Sequence, residues 1–206
     1  MKVLLINGSP HERGCTYTAL IEVAVTLEKH RIYTEILNLD RQTTAGCAAC
    51  VSCRKTGECM YQDMVNEIGS KLDEYDALVL GSPVYYAGPN GQFLAFLDRL
   101  FYCYGKKLAG KPGAAVVSCR RGGASTAFDQ LNKYFAISNM PIVTSQYWNQ
   151  VHGNTPEEVR KDKEGLQTMR TLGENMAWLL KSIEAGKNAG ILPPKYEEQI
   201  RTNFIP

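Results

Sequence analysis

The stretch KVLLINGSPHERGCT, residues 2–16, holds a strand, a loop and the opening of a helix. Lys2 to Asn7 is a short continuous apolar run, the mark of a buried strand, and Gly8-Ser9-Pro10 stops it. From Thr16 to Lys29 apolar residues return at helical spacing, with Leu20, Ile21, Val23, Val25 and Leu27, and predict a helix.

The same alternation continues along the chain. Ile32 to Leu39 alternates and is rich in Ile, Tyr and Leu, which predicts a second strand. Met64 to Leu72 reads as a helix, and Ala77 to Leu80 as a third strand ending at Gly81-Ser82-Pro83. Phe93 to Tyr102 reads as a helix, Ala114 to Ser118 as a fourth strand ending near Gly122-Gly123, and Ser125 to Phe135 as a helix. Pro141 to Ser145 is the expected fifth strand. Thr155 to Ile183 is a long amphipathic helix expected to break near Gly165 or Gly173. Strands alternating with helices predict an α/β fold, a parallel sheet with helices on both faces. Five strands in this order fit a doubly wound, flavodoxin-like sheet of order 2-1-3-4-5. Residues 1–186 make one domain on this reading, and 187–206, with Pro193-Pro194, form an extended tail that wraps a neighbouring subunit.

A chain of 206 residues buries a proper core without disulfide staples. Lys plus Arg number 23 and Asp plus Glu 21, a net charge of +2 that argues against nucleic acid or an anionic membrane as partner. The apolar run at the N-terminus is too short for a secretory segment, and none approaches a membrane span. A soluble cytoplasmic protein is expected. Thiols stay reduced in that compartment, so grouped cysteines there point to metal or redox chemistry.

Ligands of open α/β sheets bind outside the carboxyl ends of the strands. Three loops there are rich in Gly, Ser, Thr and Pro. In the first, GSPHERGCTYT, the start of a helix favours an anion, Ser9, Thr16 and Thr18 add hydroxyls, and Arg13 adds a charge. The stretch fits neither G-x-G-x-x-G nor a nucleotide P-loop, so a phosphate monoester is the expected ligand; capping of a plain βα turn is the alternative. In the second, GSPVYYAGPNGQF, Tyr85 and Tyr86 are expected to meet an aromatic ring system; packing of a tyrosine under a neighbouring loop is the alternative. In the third, SCRRGGAST, Gly122-Gly123 lets backbone approach a planar ligand, and Arg120 and Arg121 offer charge to a phosphate.

Four of the seven cysteines fall in GCAACVSCRKTGEC, residues 46–59. Cys47, Cys50, Cys53 and Cys59 follow C-x2-C-x2-C-x5-C, closer to a ferredoxin-type run than to paired zinc knuckles. A connection whose thiols pack under the next helix is the alternative. Cys15, Cys103 and Cys119 stand apart and read as core or loop thiols, with a lowered thiol pKa expected for Cys15 at a helix start.

Together, VLLINGSPHERGCT, GCAACVSCRKTGECMYQDM and ALVLGSPVYYAGPNGQFLAFLDR resemble the NADPH-dependent FMN reductase group of flavodoxin-like proteins, above all the branch that includes the iron–sulfur flavoproteins. The resemblance covers about residues 2–125. It implies FMN, with Ser9, Arg13, Thr16 and Thr18 at the phosphate, Pro83, Val84, Tyr85 and Tyr86 along the isoalloxazine and ribityl chain, and Ser118, Gly122 and Gly123 over the ring edge. It implies a homodimer or homotetramer. The expected function is an FMN-dependent NAD(P)H oxidoreductase that passes electrons from a nicotinamide dinucleotide to a small acceptor such as free flavin or a quinone. The alternative is an iron–sulfur flavoprotein electron carrier with a [4Fe–4S] cluster on Cys47, Cys50, Cys53 and Cys59. The group often carries two adjacent Asp after the last of these cysteines. Here Gln62 precedes Asp63, which is expected to alter how the loop is capped.

Overall fold

The first strand, β1 (Lys2–Asn7), lies between β2 (Tyr33–Asn38) and β3 (Ala77–Tyr85) and runs parallel to both. The structure is a computed structural model and describes residues 1–39, 44–198, 200 and 202. Beyond β3 come β5 (Gly113–Cys119) and β6 (Gln150–His152), also parallel, so the sheet order is β2-β1-β3-β5-β6. A two-residue strand, β4 (Gly88–Pro89), folds back antiparallel on the end of β3. With that hairpin set aside, the order is the doubly wound one expected.

Alternation along each strand sorts the core into two layers. Leu4, Ile6, Leu78, Leu80, Ala115 and Val117 face one side, under α3 (Met64–Lys71), α4 (Gly91–Tyr104) and α5 (Ala124–Ile137). Val3, Leu5, Ala77, Val79, Ala114 and Val116 face the other, under α1 (Cys15–Lys29) and α7 (Lys163–Asn188). A strand buried on both faces needs a continuous apolar run, which is why β1 and β3 are so visible in the sequence.

One expectation needs correction. The segment 141–145 is not a strand. Its ladder stops at one bridge, Gly113 with Ile142, where Gly113 N–H donates to Pro141 O (2.9 Å) and Val143 N–H to Gly113 O (2.8 Å). A turn held by Ser145 Oγ then carries the chain away, and it returns as β6 opposite Val117–Cys119. Gln-Val-His has one apolar residue and gave no strand signal. The long helix does break near Gly165, between α6 (Pro156–Val159) and α7. Asp162 makes the break: its carboxylate accepts Gly165 N–H (2.9 Å) as the cap of α7 and His152 N–H (2.7 Å) from β6. Gly173 lies within α7 where α1 packs against it, and a Cβ there would lie 2.7 Å from Thr26 Cβ, so only glycine fits.

Among the described residues, no helix is long and apolar enough to cross a membrane. The helix α7 runs to Asn188, and the described residues after it are exposed.

Candidate functional site

The three loops meet at the carboxyl end of the sheet. Asn7, buried at the end of β1, shapes the first: its Oδ1 accepts Ser9 N–H (3.2 Å), and its Nδ2 donates to Glu12 O (3.2 Å) and Asn38 Oδ1 (2.8 Å). Ser9 Oγ then accepts His11 N–H at 3.1 Å. The helix α1 begins without a side-chain cap and without an acidic residue in its first turn, so the positive end of its dipole faces the loop uncompensated. Thr16 Oγ1 and Ser118 Oγ lie 2.9 Å apart, joining the first and third loops across 102 residues. Both are buried, as is Ser9. Thr18 Oγ1 instead donates to Gly14 O (3.1 Å), a bond within its own helix. Arg13 sits exposed at the rim.

The second loop is a tight hairpin, with Tyr85 opposite Gly88 and Val84 opposite Pro89. Its two central residues, Tyr86 (φ 50°) and Ala87 (φ 60°), both take the left-handed conformation that such turns demand and that Asn-Gly usually supplies. Tyr86 is fully exposed there, with Tyr85 44% exposed. The third loop closes against this hairpin. Gly123 has φ of 87°, and a Cβ there would sit 2.7 Å from Ala87 Cα and 3.2 Å from Val84 Cγ1. Pro83 and Val84 are half-buried, while Gly122, Arg120 and Arg121 are exposed.

The cysteine stretch, with the one-turn helix α2 (Cys53–Thr56), forms a second site beside α4. Cys47, Cys50, Cys53 and Cys59 line one pocket with Val51, Met60, Arg99 and Tyr102. Cys103 lines it too, and the sequence reading had set this residue apart. Burial pushes the Cys103 thiol up to about 11, and the neighbouring Cys53 and Cys59 reinforce the shift. Cys59 is held closely: Asn66 Oδ1 accepts its N–H (2.8 Å), Asn66 Nδ2 donates to its carbonyl (2.9 Å), and Arg99 Nε donates to its Sγ (3.2 Å). Cys47 and Cys50 are exposed. Between and after them, Ala49 and Val51 have φ of 52° and 53°, a rare conformation for a β-branched residue. Among the described residues, no three His, Cys, Asp or Glu side chains converge closely enough to hold a metal ion. Asp63 caps α3, accepting Val65 N–H at 3.1 Å, and Gln62 Oε1 accepts from Asn66.

Residues 1–155 match the family model described as NADPH-dependent FMN reductase. The chain belongs to that family. An iron–sulfur flavoprotein of Methanocaldococcus jannaschii is 34% identical over 192 residues, covering 89% of this chain and all of the relative. Two solved structures share the fold. RosB, holding 8-demethyl-8-formylriboflavin-5′-phosphate, superposes with a TM-score of 0.70 at 16% identity, over all of this chain and 92% of that one. An archaeal flavodoxin does so with a TM-score of 0.61 at 15% identity, over 88% and 99%. Family membership makes the chain an FMN-binding oxidoreductase of flavodoxin-like fold.

Three functional side chains escaped the sequence reading. Asn7 ends the first apolar run, Asn66 and Arg99 fall within expected helices, and none of the three is singled out by that reading. Only Arg99 left a signal: it is a charge on a face otherwise made of Phe96, Leu97 and Leu100. Cys15 departs from expectation, since burial raises its thiol pKa and its Sγ lies 3.7 Å from Gly153 O.

Proposed function

We propose that the chain is a two-site electron-carrying flavoprotein, with FMN in the three loops and an iron–sulfur cluster, [4Fe–4S], on Cys47, Cys50, Cys53 and Cys59. The observation that carries this reading is the gathering of all four loop thiols on one pocket against α4, whose first turn follows the second flavin loop. The full-length likeness to curated iron–sulfur flavoproteins supports it.

The residues fit the flavin. The uncapped end of α1, with Ser9, Thr16 and Arg13, suits a phosphate. Thr18, bonded within its helix, supports that turn. Pro83, Val84, Tyr85 and Tyr86, with Ser118, Gly122 and Gly123, would line the ring and its chain. FMN, when bound, accepts and releases electrons singly or in pairs; the protein supplies orientation and hydrogen bonds. The donor chemistry also suits the cluster: four thiols lining one pocket, an apolar lining, and a guanidinium N–H directed at one sulfur. A bound cluster supplies one-electron chemistry within the same chain.

The test is Cys50→Ser in anaerobically purified protein. The variant loses its iron and keeps its FMN; unchanged iron would overturn the cluster assignment.

A second reading has NAD(P)H reduce the flavin for a small acceptor. The family description and the exposed Arg120-Arg121 pair beside Gly122 favour it. Steady NADPH oxidation with added flavin or quinone supports that role, and no turnover would leave the electron-carrier reading alone. A homodimer or homotetramer in the cytoplasm accompanies both readings. The exposed Trp178 and the apolar tail residues Ile191, Leu192 and Tyr196 support the oligomer, which light scattering checks.

A further inference from the structure

Arg99 is the largest of the fully buried side chains, 2% exposed on the inner face of α4. Burying a guanidinium is costly unless its donors are met. Here all five N–H groups have acceptors. Nη1 donates to Asp63 Oδ2 (2.7 Å) and Ala45 O (3.3 Å), and Nη2 donates to Asp63 Oδ1 (2.8 Å) and Tyr61 O (3.4 Å). The fifth, Nε–H, donates to Cys59 Sγ at 3.2 Å. The Tyr61 ring centroid lies 4.7 Å from Cζ.

These partners lie on both sides of the cysteine run. Ala45 precedes Cys47, whereas Cys59, Tyr61 and Asp63 follow Cys53. One side chain therefore ties the two ends of the loop to α4 and turns its last donor on a sulfur. A neutral thiol is a weak acceptor; a metal-bound thiolate is a strong one. A leucine would fill this face of α4 as well. The guanidinium is suited to a loop whose sulfur carries charge.

We propose that Arg99 is the positioning residue of the cysteine site: it fixes both ends of the loop, aligns Cys59 Sγ as a ligand, and through the Nε–H···Sγ bond raises the reduction potential of the centre held there. Hydrogen bonds to ligand sulfurs set such potentials, and partners behind the ligands tune affinity. The electronic half rests on the iron–sulfur reading; the anchoring half does not.

The experiment is a redox titration of the full chain and of Arg99→Lys, with bound flavin as internal reference. Lysine keeps the charge but has neither the fork nor Nε–H. Arg99→Lys keeps its FMN and moves the iron–sulfur midpoint to lower potential. The reduced-to-oxidised ratio at the wild-type midpoint falls roughly tenfold, the worth of one charge-assisted hydrogen bond. An unchanged midpoint with full iron content would overturn the electronic half. Arg99→Lys that takes up no iron supports the anchoring half only if it folds, which circular dichroism and FMN content report.

A second measurement needs no metal. Alkylation of the metal-free wild type, mapped by mass spectrometry, labels Cys59 several-fold more slowly than Cys47, because Cys59 is half-buried and held by Asn66 and Arg99 while Cys47 is exposed. Asp63→Asn, which weakens the anchor of Arg99, narrows that gap. Equal labelling of Cys59 and Cys47 in the wild type would overturn the anchoring half. Wild-type protein without iron would instead sink the iron–sulfur reading, leaving the alkylation result to stand by itself.

Discussion

Cys59 and Cys47 border the same pocket with unequal support. Cys59 has its backbone clamped by Asn66 and its sulfur met by Arg99. Cys47 lies exposed, and the two left-handed residues Ala49 and Val51 follow it. The flavin loops differ from both. They spring from the ends of three core strands and interlock through Thr16–Ser118 and Gly123–Ala87. A site built at strand ends inherits its geometry from the sheet, whereas a site built on an excursion between β2 and α3 depends on one or two buried polar side chains. The helix α4 serves both: it starts just past the β4 hairpin, and Arg99 lies eight residues on, about 12 Å along the axis.

The largest expected effect breaks this contrast at the excursion. Cys59→Ser abolishes bound iron while leaving FMN in place, as iron and flavin analysis of one sample shows. Retained iron would mean that Cys103 or another thiol replaces it. Next comes the shared frame. Phe93 is fully buried at the start of α4, and Phe93→Ala costs about 3–5 kcal/mol in a urea titration. Within the flavin loops, Gly123→Ala forces a Cβ into Ala87 at positive φ, costs about 1–2 kcal/mol, and weakens FMN binding measured by fluorescence quenching. Ser118→Ala, which leaves Thr16 unpaired, costs about 1 kcal/mol and lowers FMN affinity by roughly tenfold or less.

The smallest effect separates the thiols by pH. With its pKa raised to about 11, Cys103 stays protonated at pH 8 and alkylates slowly in metal-free protein, its rate climbing only as pH nears 11. A rate for Cys103 that levels off below pH 9 would contradict its burial.

The sheet was legible because β1, β3 and β5 are buried on both faces and announce themselves as apolar runs. The last strand was not, because Gln150-Val151-His152 needs one apolar residue to reach the core and Pro141-Ile142-Val143 offered a louder signal for a single bridge. At the site, Gly, Ser and Thr at strand ends were readable, since their chemistry lies in the chain itself. The polar clamps were hidden. Asn7, Asn66 and Arg99 work through partners up to 54 residues away, and spacing along one element cannot show such bonds. Cys103 was missed for the same reason: it lies on α4, 44 residues after Cys59, and only the fold brings it to the pocket.

The most direct test of the two-site account is anaerobic purification of the full chain followed by an absorption spectrum and analysis of FMN, iron and acid-labile sulfide in one sample. The account predicts flavin together with iron and sulfide at about four each per chain, as a [4Fe–4S] cluster requires. A flavin spectrum with no iron or sulfide would contradict it, leaving the cysteine stretch as a structural loop on a flavin reductase.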